Sequence, residues 1–513
     1  MMLESNKIEN KLIRIENSES LFKSIRKQKK TIGLCHGVFD LLHPGHLRHL
    51  AKAKEKVDLL FVSITADQFV NKGPGRPAFT QDLRAESLAN IISVDYVLIS
   101  PFPTAVESIN AIKPDFYFKG NDYSNEKSDA TGNITLERKT VESFGGRVVN
   151  TDEIVFSSSE LINKFLSSNS TEVTAWLNNL KSKFSIDEIL GWLEKISKLK
   201  VLIIGESIID TYTDCDALGK SSKDPILCFN RGQSQSFAGG VLAIGAHCQG
   251  LGLNTTIVTG INHKDKNLSE IKNLLSKGVK IDMVDIAPHP TIRKERFVDT
   301  RTSSRVLELY EMDDSPLPDH LENDSVKLIA DNIKHVDLVI IADYGHGFIS
   351  DKIIQHISSF SKFTAVNVQT NAGNRGFNSL NRYSNVNFIT LNGVEAQLEM
   401  RRKHFEINAL INDLREKTRA TNILITRGNE GIDFYPSGNL VHKAPALAPF
   451  VKDRVGAGDA LLSITSLLVS VGAPTEIVTF YGNLVGAWAV SFIGNEKSLE
   501  QGLLFRQVAS LLK

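Results

Sequence analysis

The chain has 513 residues, which is too long for one ordinary hydrophobic core and predicts two or three domains. Its 59 Lys and Arg residues balance 59 Asp and Glu residues, so no overall basic field favours nucleic acid, and small anions must bind at local sites. The four cysteines show no ligand spacing, and no apolar run approaches the roughly 20 residues of a membrane helix. We therefore predict a soluble, cytoplasmic protein without structural zinc and without nucleic-acid or membrane partners.

Residues 1–30 read as a polar lead-in, and residues 31–167 then alternate apolar strands with amphipathic helices. The strands are carried by segments such as TIGLCHGVFD, DLLFVSITAD and DYVLIS. This alternation predicts a Rossmann-like α/β domain with a parallel sheet and crossover helices. Ligands of such sheets bind at the carboxyl ends of the strands.

The segment GVFDLLHPGH follows the first of these strands and opens a helix. His43 and His46 are three residues apart, so they share one helix face, beside free N–H groups and a dipole end that attract anions. Gly37 allows the chain to turn after the strand. The pattern predicts a phosphate site, and the alternative is a capped helix that carries two surface histidines.

GVFDLLHPGH resembles the His-x-Gly-His signature of the nucleotidyltransferase superfamily, which includes glycerol-phosphate cytidylyltransferases and heptose-phosphate adenylyltransferases. The resemblance implies transfer of a nucleotidyl group to a phosphorylated substrate, with release of pyrophosphate. It implies catalytic roles for His43, His46 and Lys72. It also implies nucleotide or phosphate contacts for Gly37, Phe39, Asp40, Arg76 and Lys119, the last in a Lys-Gly-x-Asp-Tyr segment, and more weakly for Arg84.

A second candidate phosphate contact lies in FSSSELINKFL, where three serines precede a predicted helix. Hydroxyl and backbone N–H groups at a helix start can hold triphosphate oxygens. Helix capping alone is the alternative for one serine. The candidates are Ser157, Ser158 and Ser159.

Residues 168–199 begin with a Ser/Asn/Thr cluster that is typical of a domain boundary. Ser185 followed by Glu188 predicts a capped helix. We interpret this segment as a short linker and a helix that packs against the second domain or a partner subunit.

A second α/β domain is predicted over residues 200–513, and its strongest signal is KDRVGAGDALLSITSLL. Gly456, Ala457 and Gly458 lead into a helix whose first turn carries Asp459. Backbone N–H groups there can surround a transferring phosphoryl group, and Asp459 can accept the proton of an attacking hydroxyl. The alternative is an aspartate that merely caps a core helix.

From Val201 to about Leu512 the chain resembles the ribokinase or PfkB family of carbohydrate kinases, whose Gly-Ala-Gly-Asp motif is intact. The resemblance implies a ribokinase-like domain with a small β lid, with Asp459 as catalytic base and Gly456, Ala457 and Gly458 as the anion hole. It places nucleotide contacts at Asn392, Glu395, Thr426, Gly428 and Asn483, with Glu395 near Mg2+ and no protein metal cluster. It places substrate contacts at Asp210, Gly239, Gly240, Lys294 and Arg296.

The sugar side departs from the heptose kinases that the domain resembles. Ala243 and His247 stand where those enzymes carry Asn, and Asn367-Val368-Gln369 stands where they have Asp-Pro-Lys. The phosphoryl-transfer residues are intact, whereas the acceptor pocket is predicted to be remodelled.

Together the two resemblances imply a bifunctional enzyme similar to the heptose 7-phosphate kinase and heptose 1-phosphate adenylyltransferase family, with its domain order reversed. The kinase domain would use ATP and a sugar, and the first domain would transfer AMP from ATP to a sugar 1-phosphate, yielding an ADP-heptose for lipopolysaccharide or capsule. Both domains would need Mg2+, and a homodimer is expected. The alternatives are a CTP-dependent cytidylyltransferase with a kinase for a polyol or unusual sugar phosphate, and a domain kept as a non-catalytic sensing or assembly module.

Overall fold

The structure is a computed structural model that describes residues 11–14, 19–73, 75–120, 133–151, 170–264, 274, 278–359, 362–438 and 441–512. The chain divides into two compact units, residues 1–168 with 502–513, and residues 169–501. Each unit is described by itself.

The first unit is a six-stranded sheet with helices on both faces. Its strands are β1 (Leu12–Arg14), β2 (Ile32–Gly37), β3 (Leu59–Thr65), β4 (Tyr96–Ser100), β5 (Phe116–Gly120) and β6 (Arg147–Thr151). Its helices before residue 168 are α1 (Glu19–Lys27), α2 (Pro44–Glu55), α3 (Gln81–Ala89), α4 (Val106–Ile112) and α5 (Asn133–Glu142). The strand order is β1-β4-β3-β2-β5-β6 and every pairing is parallel, as the alternating pattern predicts.

Neighbouring residues of the central strands feed two separate cores. Leu34 and Phe61 pack with α1, α4 and α5 on one face, whereas Cys35 and Val62 pack with α2 and α3 on the other. Successive strand residues point to opposite faces, so a strand buried on both sides must be apolar throughout. The strand order reverses between β2 and β5, and that crevice is where doubly wound sheets bind ligands.

The predicted polar lead-in contributes to this unit. Leu12–Arg14 pairs with β4 at the sheet edge, and α1 buries Phe22 and Ile25 in the core. A three-residue edge strand is too short to show an alternating pattern, which is why the sequence did not indicate it.

The second unit contains a nine-stranded sheet, a four-stranded sheet and surrounding helices. Its strands are β7 (Lys200–Gly205), β8 (Ser207–Lys220), β9 (Leu227–Gly240), β10 (Asn254–Ile261), β11 (Lys280–Asp285), β12 (Ile292–Asp299), β13 (Arg305–Glu311), β14 (Leu338–Asp343), β15 (Phe363–Val368), β16 (Phe388–Asn392), β17 (Asn422–Thr426), β18 (Ile432–Tyr435) and β19 (His442–Ala444). The helices that follow residue 168 are α6 (Thr171–Lys183), α7 (Ile186–Ile196), α8 (Val241–Gly250), α9 (Asp319–Ile333), α10 (Asp351–Ser358), α11 (Gly393–Met400), α12 (Ile407–Thr418), α13 (Ala457–Ser470), α14 (Thr475–Ala489) and α15 (Gln501–Leu511).

The large sheet has the order β11-β10-β7-β14-β15-β16-β17-β18-β19 and is parallel through β17. The small sheet, with the order β13-β12-β8-β9, is the predicted β lid. Among the described helices, of which the 15-residue α9 and α14 are the longest, none offers the apolar span that a bilayer requires.

Two helices occupy the predicted linker region and pack on the second unit. Tyr481 donates a hydrogen bond to the Ile189 carbonyl at 2.9 Å, and the rings of Trp176 and Phe480 lie 6.1 Å apart. Ser185 and Glu188 form the predicted capping box at the start of α7. Residues 502–513, predicted as the end of the kinase domain, group instead with the first unit.

We expect Gly250→Ala to destabilise the second unit by about 1–3 kcal/mol, because a Cβ there would overlap the Leu499 carbonyl oxygen. Gly486→Ala is the matched control: it lies inside α14 with open space around it, so alanine should be neutral or stabilising by up to about 1 kcal/mol. All three tryptophans, Trp176, Trp192 and Trp488, belong to this unit, so urea unfolding followed by their fluorescence reports on it. Equal stability of the two variants would contradict the expectation.

Candidate active sites

The histidine motif begins where β2 ends. Gly37 has ordinary backbone angles, and the left-handed residue in the turn is Phe39, with φ +50°. His43 is the N-cap of α2: its Nδ1 accepts the N–H of Gly45 at 3.1 Å. The sequence therefore turns at Phe39 and not at Gly37, and an imidazole takes the place of the usual Ser or Asp cap.

His43 and His46 form a stacked pair whose ring centroids are 3.9 Å apart. His43 Nε2 and His46 Nδ1 are buried and have no hydrogen-bond partner in the described part of the chain. Burial lowers the pKa of His43, and burial, with the nearby His43 and Lys72, lowers the pKa of His46 to about 3. Both imidazoles are therefore neutral, with ring nitrogens left for a ligand.

The loop that carries Lys72 and Arg76 lies against the same turn. Asp40 is buried and its Oδ1 accepts the N–H groups of Ala78 and Phe79 at 2.7 and 3.1 Å. Arg76 Nη1 lies 3.6 Å from the other Asp40 oxygen. Asp40 thus holds the loop in place. Lys72, in the same loop, is close enough to His46 for its charge to lower the pKa of that imidazole.

Arg84 links the loop after β2 to the loop before α3. Its guanidinium donates to the carbonyls of Val38 and Phe79 at 2.5 and 3.0 Å, and it also bonds Thr65 and Asp67. The side chain is 1% exposed, so it holds the protein backbone and does not face an open surface. Arg84, the weaker candidate for a phosphate contact, therefore has a structural role instead.

Lys119 is the last residue but one of β5, and it has a partner that the sequence did not indicate. Its Nζ lies 2.8 Å from Glu137 Oε2, which also accepts the Tyr117 hydroxyl at 3.0 Å. Glu137 comes from α5, so the pair is long-range and leaves no local pattern. Asp122 of the same segment, and the candidates Ser157, Ser158 and Ser159, lie outside the described residues.

In the second unit, Asp459 stands in the first turn of α13, after Gly456 with φ +82°. A side chain at Gly456 would overlap Asn495, so this position requires glycine. Gly458 is exposed and has open space around it. The first-turn N–H groups of a helix have no acceptor within it, so this loop can receive an anion.

Asp459 is buried, and the Tyr344 hydroxyl donates to its Oδ1 at 2.8 Å. Burial, with the nearby Asp210 carboxylate, raises the pKa of Asp459 to about 7, and Lys294 and Tyr344 act in the opposite direction. Tyr344 follows β14, 115 residues away in the chain, and was not predicted. A carboxylate with a pKa near neutrality is suited to general base catalysis.

The lid supplies the substrate-side candidates. In the parallel pairing of β8 with β12, Lys294 stands opposite Asp210, and Arg296 is two residues further along the same face. Arg296 Nη1 bonds Asp210 Oδ1 at 2.5 Å, and a side chain at Gly239 would overlap the other Asp210 oxygen. Gly240, also predicted here, is the N-cap of α8. The structure thus brings Asp210, Gly239, Lys294 and Arg296 together.

His346 is a further residue at this site that the sequence reasoning missed. It is 3% exposed, and both of its ring nitrogens lack a partner in the described structure. Burial, with the nearby Lys294, lowers its pKa to about 3, so the ring is neutral and presents one donor and one acceptor. Its backbone N–H is held by the Glu206 carboxylate at 3.1 Å.

The nucleotide-side candidates lie at the carboxyl ends of β16 and β17, where Asn392 pairs directly with Thr426. Asn392 and Glu395 form a capping box, and the Glu395 oxygens accept the N–H groups of Asn392 and Thr370 at 2.7 and 3.3 Å. Burial raises the pKa of Glu395 to about 7. Gly428 is exposed just beyond β17, whereas Asn483 is buried on α14 and donates to the Ala444 carbonyl at 3.4 Å.

Asp453 anchors the glycine loop and was also missed. It accepts hydrogen bonds from the Tyr212 hydroxyl at 2.7 Å and from the N–H groups of Val455 and Gly494, both at 3.0 Å, and it pairs with Arg305. Its position in KDRVGAGD does not indicate this role, because the partners other than Val455 come from the lid and from residues after α14. The departures on the sugar side also have internal contacts: His247 Nδ1 accepts the Leu499 N–H, and Asn367 donates to the Thr390 carbonyl.

The described residues contain no group of three or more His, Cys, Asp or Glu side chains arranged to hold a metal ion. The place of Glu395 near Mg2+ stays a prediction.

Two family models match the chain. The model described as Cytidylyltransferase-like covers residues 34–164, and the model described as pfkB family carbohydrate kinase covers residues 198–501. The transferase region precedes the kinase region, as predicted.

Among curated proteins, the chain is similar to the Bifunctional protein HldE of Syntrophotalea carbinolica, with 38% identity over 125 residues, or 24% of each chain. Its identity to the Bifunctional protein HldE of Nitratiruptor sp. is 41% over 134 residues, 26% of this chain and 29% of that one. The chain thus spans between about a quarter and a third of the length of these relatives.

Among solved structures, the chain is similar to phosphofructokinase-2 from Escherichia coli, with a TM-score of 0.50 and 13% identity, over 61% of this chain and 100% of that one. At this identity the likeness shows the fold alone. With the pfkB match it confirms the predicted α/β architecture of the second unit.

The raised pKa of Asp459 makes a prediction about stability. Below about pH 4 this carboxyl is protonated in both folded and unfolded chains, so the stability it contributes is complete there and is lost as the pH rises through about 7. Asp459→Asn cannot ionise, so its stability relative to the wild type should improve by about 2–4 kcal/mol between pH 5 and pH 8. Tryptophan-monitored urea unfolding at both pH values checks this.

The control for this measurement is Asp331→Asn, an exposed position on α9. Its difference from the wild type should not follow the same trend. A difference between Asp459→Asn and the wild type that stays constant from pH 5 to pH 8 would contradict the assignment of a raised pKa.

Proposed function

Because the chain belongs to the pfkB family of carbohydrate kinases and carries a cytidylyltransferase-like region in front of that domain, we propose that it is a bifunctional enzyme of nucleotide-sugar synthesis. The second unit phosphorylates a sugar with ATP. The first unit transfers a nucleotidyl group to a sugar 1-phosphate and releases pyrophosphate. The observation that carries the proposal is the convergence of Asp459, Asp210 and Lys294, from three distant segments, beside the glycine loop.

In the proposed kinase reaction, a sugar hydroxyl attacks the γ-phosphorus of ATP and its proton passes to Asp459. The oxygen–phosphorus bond to ADP breaks as the new bond forms, so no covalent enzyme intermediate is needed. The first-turn N–H groups of α13 neutralise charge on the transferring group, because their dipoles already point at it. A pKa of about 7 keeps a useful fraction of Asp459 ionised at neutral pH.

In the proposed nucleotidyl transfer, a phosphate oxygen of the sugar 1-phosphate attacks the α-phosphorus of the nucleotide and pyrophosphate leaves. His43 Nδ1 accepts the Gly45 N–H, so its hydrogen stands on Nε2, and that nitrogen donates to a phosphate oxygen. Lys72, close to His46, supplies the positive charge that the neutral imidazoles lack. ATP is the proposed nucleotide and CTP the alternative.

The acceptor of the kinase is proposed to be a phosphorylated sugar. Lys294 is a buried cation at the lid, where it suits a negative group, and burial lowers its pKa. The neutral His346 ring suits a hydroxyl, which can both donate and accept. The resemblance to heptose kinases makes a heptose 7-phosphate the first acceptor to test and an ADP-heptose the proposed end product, with a homodimer as the proposed assembly.

Mg2+ is the proposed cofactor of both reactions. This ion keeps several waters and binds chiefly through substrate phosphates, so a site with few protein ligands fits it. Glu395, whose oxygens are held by backbone N–H groups, would contact the ion through water. When bound, Mg2+ would withdraw charge from the phosphate oxygens.

Two independent sites make a direct prediction. Asp459→Asn should lower ADP release with sugar phosphates by at least about 100-fold and leave pyrophosphate release from a nucleoside triphosphate and a sugar 1-phosphate unchanged. His46→Ala should do the reverse. Each variant is the control for the other. Loss of both activities from either substitution would contradict the proposal of two separate sites.

Tyr344 should set the pH dependence of the kinase reaction. Its hydroxyl holds the pKa of Asp459 down, so Tyr344→Phe should raise that pKa and move the acid limb of the kcat/KM profile up by roughly half to one pH unit. The plateau at high pH should be largely kept, because the base is fully ionised there. A limb that stays in place, or moves to lower pH, would contradict the role of this hydrogen bond.

A further inference from the structure

A cavity of about 590 Å3 lies in the first unit at the amino ends of three strands. Its lining includes Ile32, Phe116 and Arg147, the first residues of β2, β5 and β6. The strands are parallel, and His43 and His46 follow the carboxyl end of β2. The cavity is therefore at the opposite edge of the sheet from the histidine pair, and the length of β2, roughly 20 Å, separates them.

Four exposed cations surround this cavity: Lys29, Lys30, Lys113 and Arg147. Within the described part of the chain, none of their side chains has a hydrogen bond or an ion pair with a protein group. The acid among the lining residues, Asp115, accepts the N–H of Ile32 at 2.7 Å through one oxygen, and its single negative charge offsets only part of the positive charge. Four like charges around one concavity repel one another, and an anion placed among them would relieve that repulsion.

Arg26 also lines the cavity but has a different role. Its guanidinium donates to the carbonyls of Ala111 and Ile112, both at 3.1 Å, at the end of α4. This contact ties α1 to the end of α4 and so fixes one side of the cavity.

The apolar residues that line the cavity indicate which kind of anion fits it. Phe116 and Phe144 are half-buried and both line the cavity, Phe116 from the face of the sheet that α2 and α3 cover and Phe144 from the face that α1, α4 and α5 cover. A flat ring stacks on such side chains, as bases do in nucleic-acid-binding proteins. The volume is in the range of ordinary small-ligand sites. A ligand with one planar ring and several phosphate charges matches the cations and the aromatic wall together.

We propose that this cavity is a second ligand site, which binds a nucleoside diphosphate or triphosphate away from the nucleotidyl-transfer site. The phosphates lie among Lys29, Lys30, Lys113 and Arg147, and the base lies against Phe116 and Phe144. The site does not depend on either proposed activity, because it is defined by charges and surfaces at the other edge of the sheet.

The test is hydrogen–deuterium exchange of the full chain with ADP as the probe, because the method shows where the nucleotide binds. ADP should slow exchange in residues 28–32, 113–116 and 144–147, in addition to any protection around residues 37–46. Lys30→Glu with Lys113→Glu should weaken the first effect at least tenfold in ADP concentration and leave the second unchanged. The effect should also weaken with added salt.

The matched control is Lys56→Glu with Lys139→Glu, two exposed lysines of the same unit that do not line the cavity and that give the same change in net charge. This control should bind ADP like the wild type. The proposal is overturned if saturating ADP protects residues 37–46 alone, if protection survives the double charge reversal, or if a single-stranded RNA protects the cavity and ADP does not. If pyrophosphate slows exchange around the cavity as much as ADP does, the proposal that a base lies against Phe116 and Phe144 is wrong.

Discussion

The parallel alignment of strands is the constraint on which both candidate sites depend. In a parallel sheet every carboxyl end lies at one edge, so loops that are far apart in the chain meet there without further design. The pairing of Asn392 with Thr426 joins two nucleotide-side candidates, and the parallel pairing within the lid sets Lys294 opposite Asp210. Helices that start at the same edge then add their unpaired N–H groups. Polar residues collect at this edge because the strands between them are apolar and buried.

Burial gives the two sites opposite electrostatic characters. In the first unit it makes both histidines neutral, so the positive charge for a triphosphate has to come from lysine and from the helix dipole. In the second unit it raises the pKa of Asp459 and Glu395 to about 7, so these carboxyls hold their protons more tightly than exposed ones. The same desolvation thus disfavours the charged form in both places, the imidazolium in the first unit and the carboxylate in the second, and neighbouring charges adjust the outcome.

Local patterns in the sequence were sufficient to find the two motifs, but they did not indicate the distant residues that hydrogen-bond to the site residues and hold them in position. GVFDLLHPGH combines a strand end, a turn and a helix start, and VGAGD combines a glycine loop with a helix start, so the chemistry of each motif is visible in one window. Tyr344, Asp453 and Glu137 act through partners tens to hundreds of residues away, and no window contains both members. Arg84 shows the converse error, because its charge suggested a ligand contact while its buried position bonds it to backbone carbonyls. The turn at Phe39 was missed because φ depends on packing and not on residue type alone.

His43 combines two duties in one ring. One nitrogen accepts the Gly45 N–H and caps α2, and the other is buried without a hydrogen-bond partner in the described part of the chain. Asparagine would still start the helix but would remove the aromatic stack with His46 and the second nitrogen. The helix start and the reactive nitrogen can therefore be separated by this one substitution, which keeps the cap of α2 and loses the chemistry.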